Sequence, residues 1–154
     1  MKRVSLNAVE YICINMREVD QREIYNMRNH DSPLVLAREV CMAASIGKAG
    51  VAWRDNKPAA VVGVSPLWPG VWSIWSFGTE DWTKCALEIT KYGQRVLKPW
   101  LYTKTTAHRL QCESRVDHKE AHEWLVRCGA HVEGRLSGYG RDGSDYIMFA
   151  WRRE

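Results

Sequence analysis

The strongest structural signal in the 154-residue chain is the stretch Arg115–Ala130, RVDHKEAHEWLVRCGA. Its apolar side chains recur at the spacing of one helix face. Gly129 stands where glycine commonly ends a helix in the left-handed conformation. We therefore predict a helix that begins at Asp117 or His118 and ends at Cys128. The side chains on its apolar face are Ala121, Trp124, Leu125 and Cys128.

The remaining sequence divides into short extended and helical runs. Extended runs predict strands at Val9–Ile14, Ala49–Trp53, Pro58–Val64, Val71–Phe77, Arg109–Val116, His131–Gly134 and Tyr146–Trp151. Helical spacing predicts helices over Met16–Met27, from Ser32-Pro33 to Gly47, and from Trp82 to Leu97, with Pro99 ending the last. This order, βααβββαβαββ, lacks the strict alternation of a doubly wound parallel sheet. We predict one α+β domain over residues 1–154, with a mixed, mostly antiparallel sheet of six to seven strands and helices on both faces.

The composition is that of an ordinary globular domain, with 45% hydrophobic and 26% charged residues. No stretch approaches the apolar length of a membrane span, and the start, Met1 to Leu6, lacks the apolar run of a secretory signal. We therefore expect a cytoplasmic protein without a membrane span. The net charge of +4 comes from dispersed Lys and Arg residues, so nucleic acid binding is not supported.

Cysteine and histidine spacing bears on metal binding. The five cysteines are scattered without a CxxC pair, so buried reduced thiols are expected rather than disulfides or a zinc module. His118 and His122 lie four apart, the spacing of a two-histidine metal site, but no Glu directly follows the first His. We predict no metal site and a solvated helix face shared with Lys119, Glu120 and Glu123.

The stretch Arg115–Ala130, with Glu133-Gly134-Arg135 and the residues from Tyr139 to Tyr146 after it, resembles the C-terminal end of GNAT acetyltransferases. With the order of elements, the resemblance covers nearly the whole chain. It implies that two central parallel strands splay apart and that acyl-CoA lies in the gap, its pyrophosphate on the amides that open the following helix. For acetyl-CoA as cofactor, the resemblance implies a site made by Phe77, Gly78, Thr79, Trp82, Thr83 and His118.

The sequence departs from the family pattern in the phosphate loop, at the position of the family tyrosine and at His118, where the family commonly has Asn. The phosphate loop of the family is rich in glycine and carries a basic residue, whereas Gly78–Thr83 has one glycine and two acids, Glu80 and Asp81. We expect Thr79 to cap the following helix and the two acids to complement its dipole. At the position of the tyrosine that serves the family as general acid stands Leu125, which cannot transfer a proton.

With these departures the chain resembles the GNAT-like internal virion proteins of short-tailed bacteriophages. The shared features are a Trp-Leu pair followed by Gly-Ala, a Trp-rich strand before a Thr and a Trp, and a missing phosphate loop. The resemblance implies a degenerate GNAT protein, a structural component of a phage particle or its assembly, present in the host cytoplasm and the virion. Its partners would be phage structural proteins or further copies of the chain. Trp68, in the predicted turn Pro66–Gly70, is a candidate contact because Trp is enriched at binding hot spots.

The alternative is an active, acetyl-CoA-dependent N-acetyltransferase that acts on a protein or small-molecule amine. Its catalytic candidates are Glu113, which would act as a general base through water, and Tyr139, near the position of the acceptor amine. The Glu80-Asp81 loop and Leu125 favour the degenerate hypothesis, and the sequence alone leaves both hypotheses open.

Overall fold

The computed structural model describes residues 1–153, and within them the chain forms six α-helices and six strands. The helices are α1 Leu6–Ile14, α2 Glu18–Ile24, α3 Pro33–Ile46, α4 Trp82–Tyr92, α5 Lys98–Lys104 and α6 Lys119–Arg127. The strands are β1 Lys48–Arg54, β2 Lys57–Trp68, β3 Val71–Gly78, β4 Arg109–Arg115, β5 His131–Leu136 and β6 Tyr146–Arg152. A 3₁₀ turn, Tyr25–Met27, follows α2, and a π-helical segment, Gly93–Leu97, joins α4 to α5.

All six strands form one mixed sheet in the order β1-β2-β3-β4-β6-β5. Neighbouring strands are antiparallel except for β3 and β4, which are parallel. The strands β1–β2, β2–β3 and β5–β6 are joined without a helix and pair antiparallel, whereas the connection between the parallel strands β3 and β4 carries α4 and α5. Helix α6 connects β4 to β5, which lies at the sheet edge beyond β6. The predicted fold class, with helices on both faces of a mostly antiparallel sheet, is confirmed.

Two hydrophobic clusters cover the two faces of the sheet. Helices α1 and α3 pack on one face, and α4, α5 and α6 pack on the other. Side chains along β3 alternate between the two faces of the sheet. Trp75 and Phe77 join the cluster under α1 and α3, and Trp72 and Ile74 join the cluster under α4, α5 and α6. None of the helices in residues 1–153 combines the length and apolar character needed to cross a membrane.

The predicted strand at Val9–Ile14 is wrong, because this segment lies in α1. The Ser5 hydroxyl accepts a hydrogen bond from the Ala8 amide at 3.3 Å and caps the helix. Ile12 and Cys13 follow Val9 at helical spacing and are buried with it. A short apolar run of this kind fits a strand or a buried helix equally well, and packing against α3 decides for the helix.

The prediction that Pro99 ends the helix after β3 is also wrong. The helical path continues to Lys104, because the segment Gly93–Leu97 widens into a π-helix in which the Lys98 amide bonds the Gly93 carbonyl five residues back. Pro99 then falls in the first turn of α5, where a missing amide hydrogen costs no helical hydrogen bond.

Asp55 and Asn56 turn the chain between β1 and β2, and both have positive φ, as a tight two-residue hairpin requires. The predicted turn Pro66–Gly70 is shorter than expected. Strand β2 continues to Trp68, which pairs with Val71 across an irregular register, and the reversal needs only Pro69 and Gly70.

A buried asparagine connects the helical N-terminal region to the loop before β6. The Asn26 amide donates hydrogen bonds to the Ser144 hydroxyl at 2.9 Å and the Tyr146 hydroxyl at 3.1 Å. Its side-chain oxygen accepts a hydrogen bond from the Asp142 amide at 3.0 Å. The side chain therefore fixes the loop between β5 and β6 against the start of the chain.

We predict that Asn26→Ala lowers the free energy of unfolding by about 2 kcal/mol, because it leaves several buried polar groups without partners. Urea denaturation followed by tryptophan fluorescence measures the change. Asn29→Ala is the matched control, since Asn29 is exposed nearby and the same truncation there should change stability by less than about 0.5 kcal/mol. Equal effects of the two substitutions would contradict the assigned role of Asn26.

Candidate functional site

The site is built where β3 and β4 separate. The two parallel strands pair only from Val71 with Arg109 to Ser73 with Gln111, although β3 continues to Gly78 and β4 to Arg115. Beyond this point the facing edge of β3 has no strand partner. A cavity of about 720 Å³ lies at the separation, lined by α2 and α3 from one face of the sheet and by α4 and α6 from the other.

The end of β3 leads directly into α4. Gly78 makes a close approach, because a Cβ there would lie 2.5 Å from the Ala59 carbonyl oxygen and 2.8 Å from the Trp82 ring. The Thr79 hydroxyl accepts a hydrogen bond from the Asp81 amide at 3.2 Å. The prediction that Thr79 caps α4 is wrong, because the N-cap residue is Asp81. The Asp81 side chain makes no capping hydrogen bond. Asp81 instead forms an ion pair with Lys84 at 3.0 Å.

Two residues at the start of α2 satisfy the backbone at the end of β3. The buried Asp20 carboxylate accepts hydrogen bonds from the Gly78 amide at 2.9 Å and from Arg17 Nε at 2.8 Å. The Arg17 amide donates to the Gly78 carbonyl at 3.0 Å. Burial raises the pKa of Asp20, and Arg17 and the Gly78 amide only partly oppose this effect. Neither residue was singled out from the sequence.

Aromatic side chains fill the space between α4 and α6. Trp82 and Trp124 pack edge to face with their ring centres 5.5 Å apart. Trp82 Nε1 donates to the Ser76 hydroxyl on β3, and Trp124 Nε1 donates to the Thr90 hydroxyl on α4 at 2.8 Å. The Arg17 guanidinium lies 4.6 Å from the centre of the Trp82 ring. These contacts join α4 to α6 at one wall of the cavity.

A histidine and a glutamate meet at the mouth of the strand separation. His118 precedes the first residue of α6, is only 7% exposed and lines the cavity. Its Nδ1 lies 3.1 Å from Glu23 Oε2, and the other carboxylate oxygen of Glu23 accepts the Arg115 amide at 2.6 Å. Burial by itself would lower the pKa of His118, but the hydrogen bond and charge of Glu23, with the charge of Asp20, raise it above the ordinary value.

The prediction that His118 and His122 share a solvated helix face is wrong. His118 is buried, and half-buried His122 makes a 2.9 Å hydrogen bond through Nε2 to the Arg115 carbonyl. Burial lowers the pKa of His122, which keeps its ring neutral and able to donate that bond. Lys119, Glu120 and Glu123 are exposed, as predicted.

Glu113 and Tyr139, the two catalytic candidates of the sequence, come together at the cavity. Both line it, and the Tyr139 hydroxyl lies beside the Glu113 carboxylate. Burial raises the pKa of Tyr139, and the charge of Glu113 raises it further. The Tyr139 ring packs against Tyr146 with ring centres 5.4 Å apart. A carboxylate on β4 is thus held at the cavity next to a phenol that keeps its proton.

The residues implied for the cofactor divide into two groups. Phe77, Trp82 and His118 line the cavity, whereas Gly78, Thr79 and Thr83 lie at the β3–α4 junction outside it. Leu125 is buried and also lines the cavity, so an apolar side chain occupies the position of the family tyrosine.

The cysteines are free thiols, and burial raises the pKa of Cys112 on β4 and of Cys13, the latter to about 12. Neither thiol is therefore a ready nucleophile at neutral pH. Among residues 1–153 no group of three His, Cys, Asp or Glu side chains is arranged to hold a metal ion.

Comparison with solved structures places this architecture. RimL, a ribosomal L7/L12 alpha-N-protein acetyltransferase in complex with coenzyme A, superposes with a TM-score of 0.74 over 99% of this chain and 92% of that one, at 14% identity. Ard1 from Thermoplasma volcanium gives 0.71 over 99% and 96%, at 11% identity. The chain has the GNAT fold. A ribosomal-protein-alanine N-acetyltransferase from Brucella melitensis gives 0.69 over 98% of both chains, at 9% identity.

No protein-family model and no curated protein matches the sequence. RimL and the Brucella melitensis protein are N-acetyltransferases, and none of the three similar structures named above is described as a virion protein. Trp68, proposed as a contact residue, ends β2 and is 59% exposed. Its role in contacting a partner stays a prediction, as does a place in the virion.

The close packing at the end of β3 can be tested by substitution. We predict that Gly78→Ala lowers the free energy of unfolding by about 1 to 3 kcal/mol, because the added methyl group meets backbone at Ala59 and forces the junction apart. Urea denaturation measures the change. Gly93→Ala is the control, since a Cβ at Gly93 meets nothing within 4 Å and alanine favours helical backbone. A Gly78→Ala protein as stable as the wild type would contradict the close approach.

Proposed function

We propose that the chain is an acetyl-CoA-dependent N-acetyltransferase that acts on an amine. The observation that carries the proposal is the separation of β3 from β4, which places an unpaired strand edge, a carboxylate and a helix N-terminus around one cavity. The resemblance to RimL in complex with coenzyme A supports it. An amine acceptor agrees with two of the similar structures, RimL and the Brucella melitensis protein, which are N-acetyltransferases of ribosomal proteins.

The residues present fit the acyl arm of this donor better than its diphosphate. The unpaired edge of β3 offers backbone donors and acceptors to the amide groups of a pantetheine chain, and Trp82, Ile74 and Leu125 supply apolar walls. The amides that open α4 would face the diphosphate. Lys84 there neutralises the charge of Asp81. Exposed Glu80 has no ion-pair partner among residues 1–153, so its negative charge repels the diphosphate.

Glu113 is the residue placed to prepare the acceptor amine. A carboxylate on β4 at the cavity can accept a proton from the ammonium form of the acceptor, directly or through one water. Tyr139 beside it keeps its proton and can hold that water or the acceptor by a hydrogen bond. The acetyl donor supplies the thioester, and the chain positions the amine next to it, which is the larger part of such catalysis.

Calorimetric titration with acetyl-CoA is the first test, and binding at micromolar Kd is expected. Acetylation of peptide amines should then show that Glu113→Gln lowers kcat about 100-fold or more without weakening acetyl-CoA binding, because the amide cannot accept a proton. Glu10→Gln, on α1 away from the cavity, is the matched control and should leave kcat unchanged. Failure of the wild type to bind acetyl-CoA would favour the degenerate, non-catalytic hypothesis instead.

The acidic Glu80-Asp81 loop predicts a substitution that strengthens acetyl-CoA binding. We expect Glu80→Gln to tighten acetyl-CoA binding about two- to fivefold at low salt, because it removes a negative charge near the diphosphate. The gain should shrink at high ionic strength, since surface charges are screened there. Glu18→Gln, which changes an exposed carboxylate on α2, should not alter the Kd. A Glu80→Gln protein with unchanged affinity at low salt would place the diphosphate elsewhere.

A further inference from the structure

The cavity contains a second proton-transfer group that the proposed function leaves unused. His118 is bonded through Nδ1 to Glu23, while its Nε2 has no hydrogen-bond partner among residues 1–153. The ring lines the cavity, and its unpaired Nε2 atom is not buried, so Nε2 is open to the cavity. A hydrogen bond at Nδ1 that leaves Nε2 free is the arrangement in which an imidazolium can donate a proton.

We infer that His118 is the general acid of the acetyl transfer and that Glu23 is the residue that positions and charges it. The inference rests on the proposed function. It supplies the proton donor that Leu125 cannot, because the family position of the tyrosine holds an apolar side chain in the same cavity. His118 would touch the sulfur of the leaving thiol, whereas Glu23 acts only through His118 and the Arg115 amide.

Several charged groups face His118, and their balance favours its protonated form. Glu23 and Asp20 on α2 present negative charge, whereas the positive charge of Arg17, before α2, opposes protonation, and His122 on α6 is neutral. Burial also opposes protonation, but the two carboxylates outweigh it, and the pKa of His118 is raised. Because the pKa is raised, the acid form persists to higher pH than in an ordinary histidine and is lost as the pH rises through the raised pKa.

The proton and electron balance of the transfer is complete with these groups. Glu113 takes a proton from the ammonium acceptor, and the freed amine forms the C–N bond at the thioester carbonyl. As the C–S bond breaks, the sulfur keeps the electron pair, and His118 Nε2 gives it a proton to form the free thiol. The nitrogen loses its second proton to water, and Glu113 and His118 exchange protons with solvent, so one proton is released per amide formed.

Proton NMR of the imidazole groups tests the pair without any acyl donor. In the wild type, His118 should titrate above its ordinary pKa of 6.5, and in Glu23→Gln its pKa should fall, because the hydrogen bond and charge of Glu23 no longer offset burial. Glu18→Gln, an exposed carboxylate change on the same helix as Glu23, is the control and should leave the titration in place. An unchanged pKa in Glu23→Gln would overturn the role given to Glu23.

Kinetics then test the role in catalysis. His118→Asn can keep a hydrogen bond to Glu23 but cannot transfer a proton, so we expect unchanged acetyl-CoA Kd and a kcat about 100-fold lower. The fall of wild-type kcat at high pH should follow the His118 titration and move to lower pH in Glu23→Gln. His122→Asn, which alters a ring bonded to backbone, should change kcat less than about threefold.

The outcomes separate this inference from the proposed function. If His118→Asn binds acetyl-CoA and turns over like the wild type, the general-acid role is overturned while the acetyltransferase proposal stands. If the wild type fails to bind acetyl-CoA, the proposed function is overturned and the role of His118 falls with it. If His118→Asn loses affinity and kcat together, His118 is a binding residue and not the acid.

Discussion

The short parallel pairing between β3 and β4 is the constraint on which the rest of the structure depends. Three register positions hold the strands together, and the backbone of β3 beyond Ser73 must find other partners, because buried backbone polar groups are rarely left unsatisfied. At the end of β3, Asp20 takes the Gly78 amide, and the amide of Arg17 donates to the Gly78 carbonyl. Helix α2 is therefore fixed by the same separation that opens the cavity, and Glu23 comes with it.

This arrangement places several charges in a partly buried space, which stability alone does not favour. Buried ion pairs often contribute less than apolar side chains of the same size would, because taking charges out of water is costly. Asp20 and Glu23 lie on one face of α2, three residues apart, and each is satisfied by several donors. Retained, satisfied carboxylates at a cavity are the pattern expected of a working site.

Much of the fold could be predicted from periodicity, and the errors have physical reasons. Helix α6 and the alternation of β3 are local patterns that packing reinforces, whereas Val9–Ile14 is too short for its period to be read. Glu113 was found because it lies on the strand beside the recognised helix. Glu23 was not, because it meets His118 across 95 residues of sequence. Helix α2, EVDQREI, is mostly polar, so its sequence does not set Asp20 and Glu23 apart from the solvated residues beside them.

The absence of a tyrosine at Leu125 and the burial of His118 have one geometric explanation. The two residues are seven positions apart, which is about two turns of helix, so side chains at both positions project toward the same side of α6. Both line the cavity between β3 and β4. A proton donor lost at one end of this face can therefore be replaced at the other, provided that a carboxylate holds the replacement in its charged form. Glu23 meets that condition from α2, which the end of β3 already fixes in place. The apolar residue at the family position is thus compatible with acid catalysis under our proposal that His118 is the proton donor.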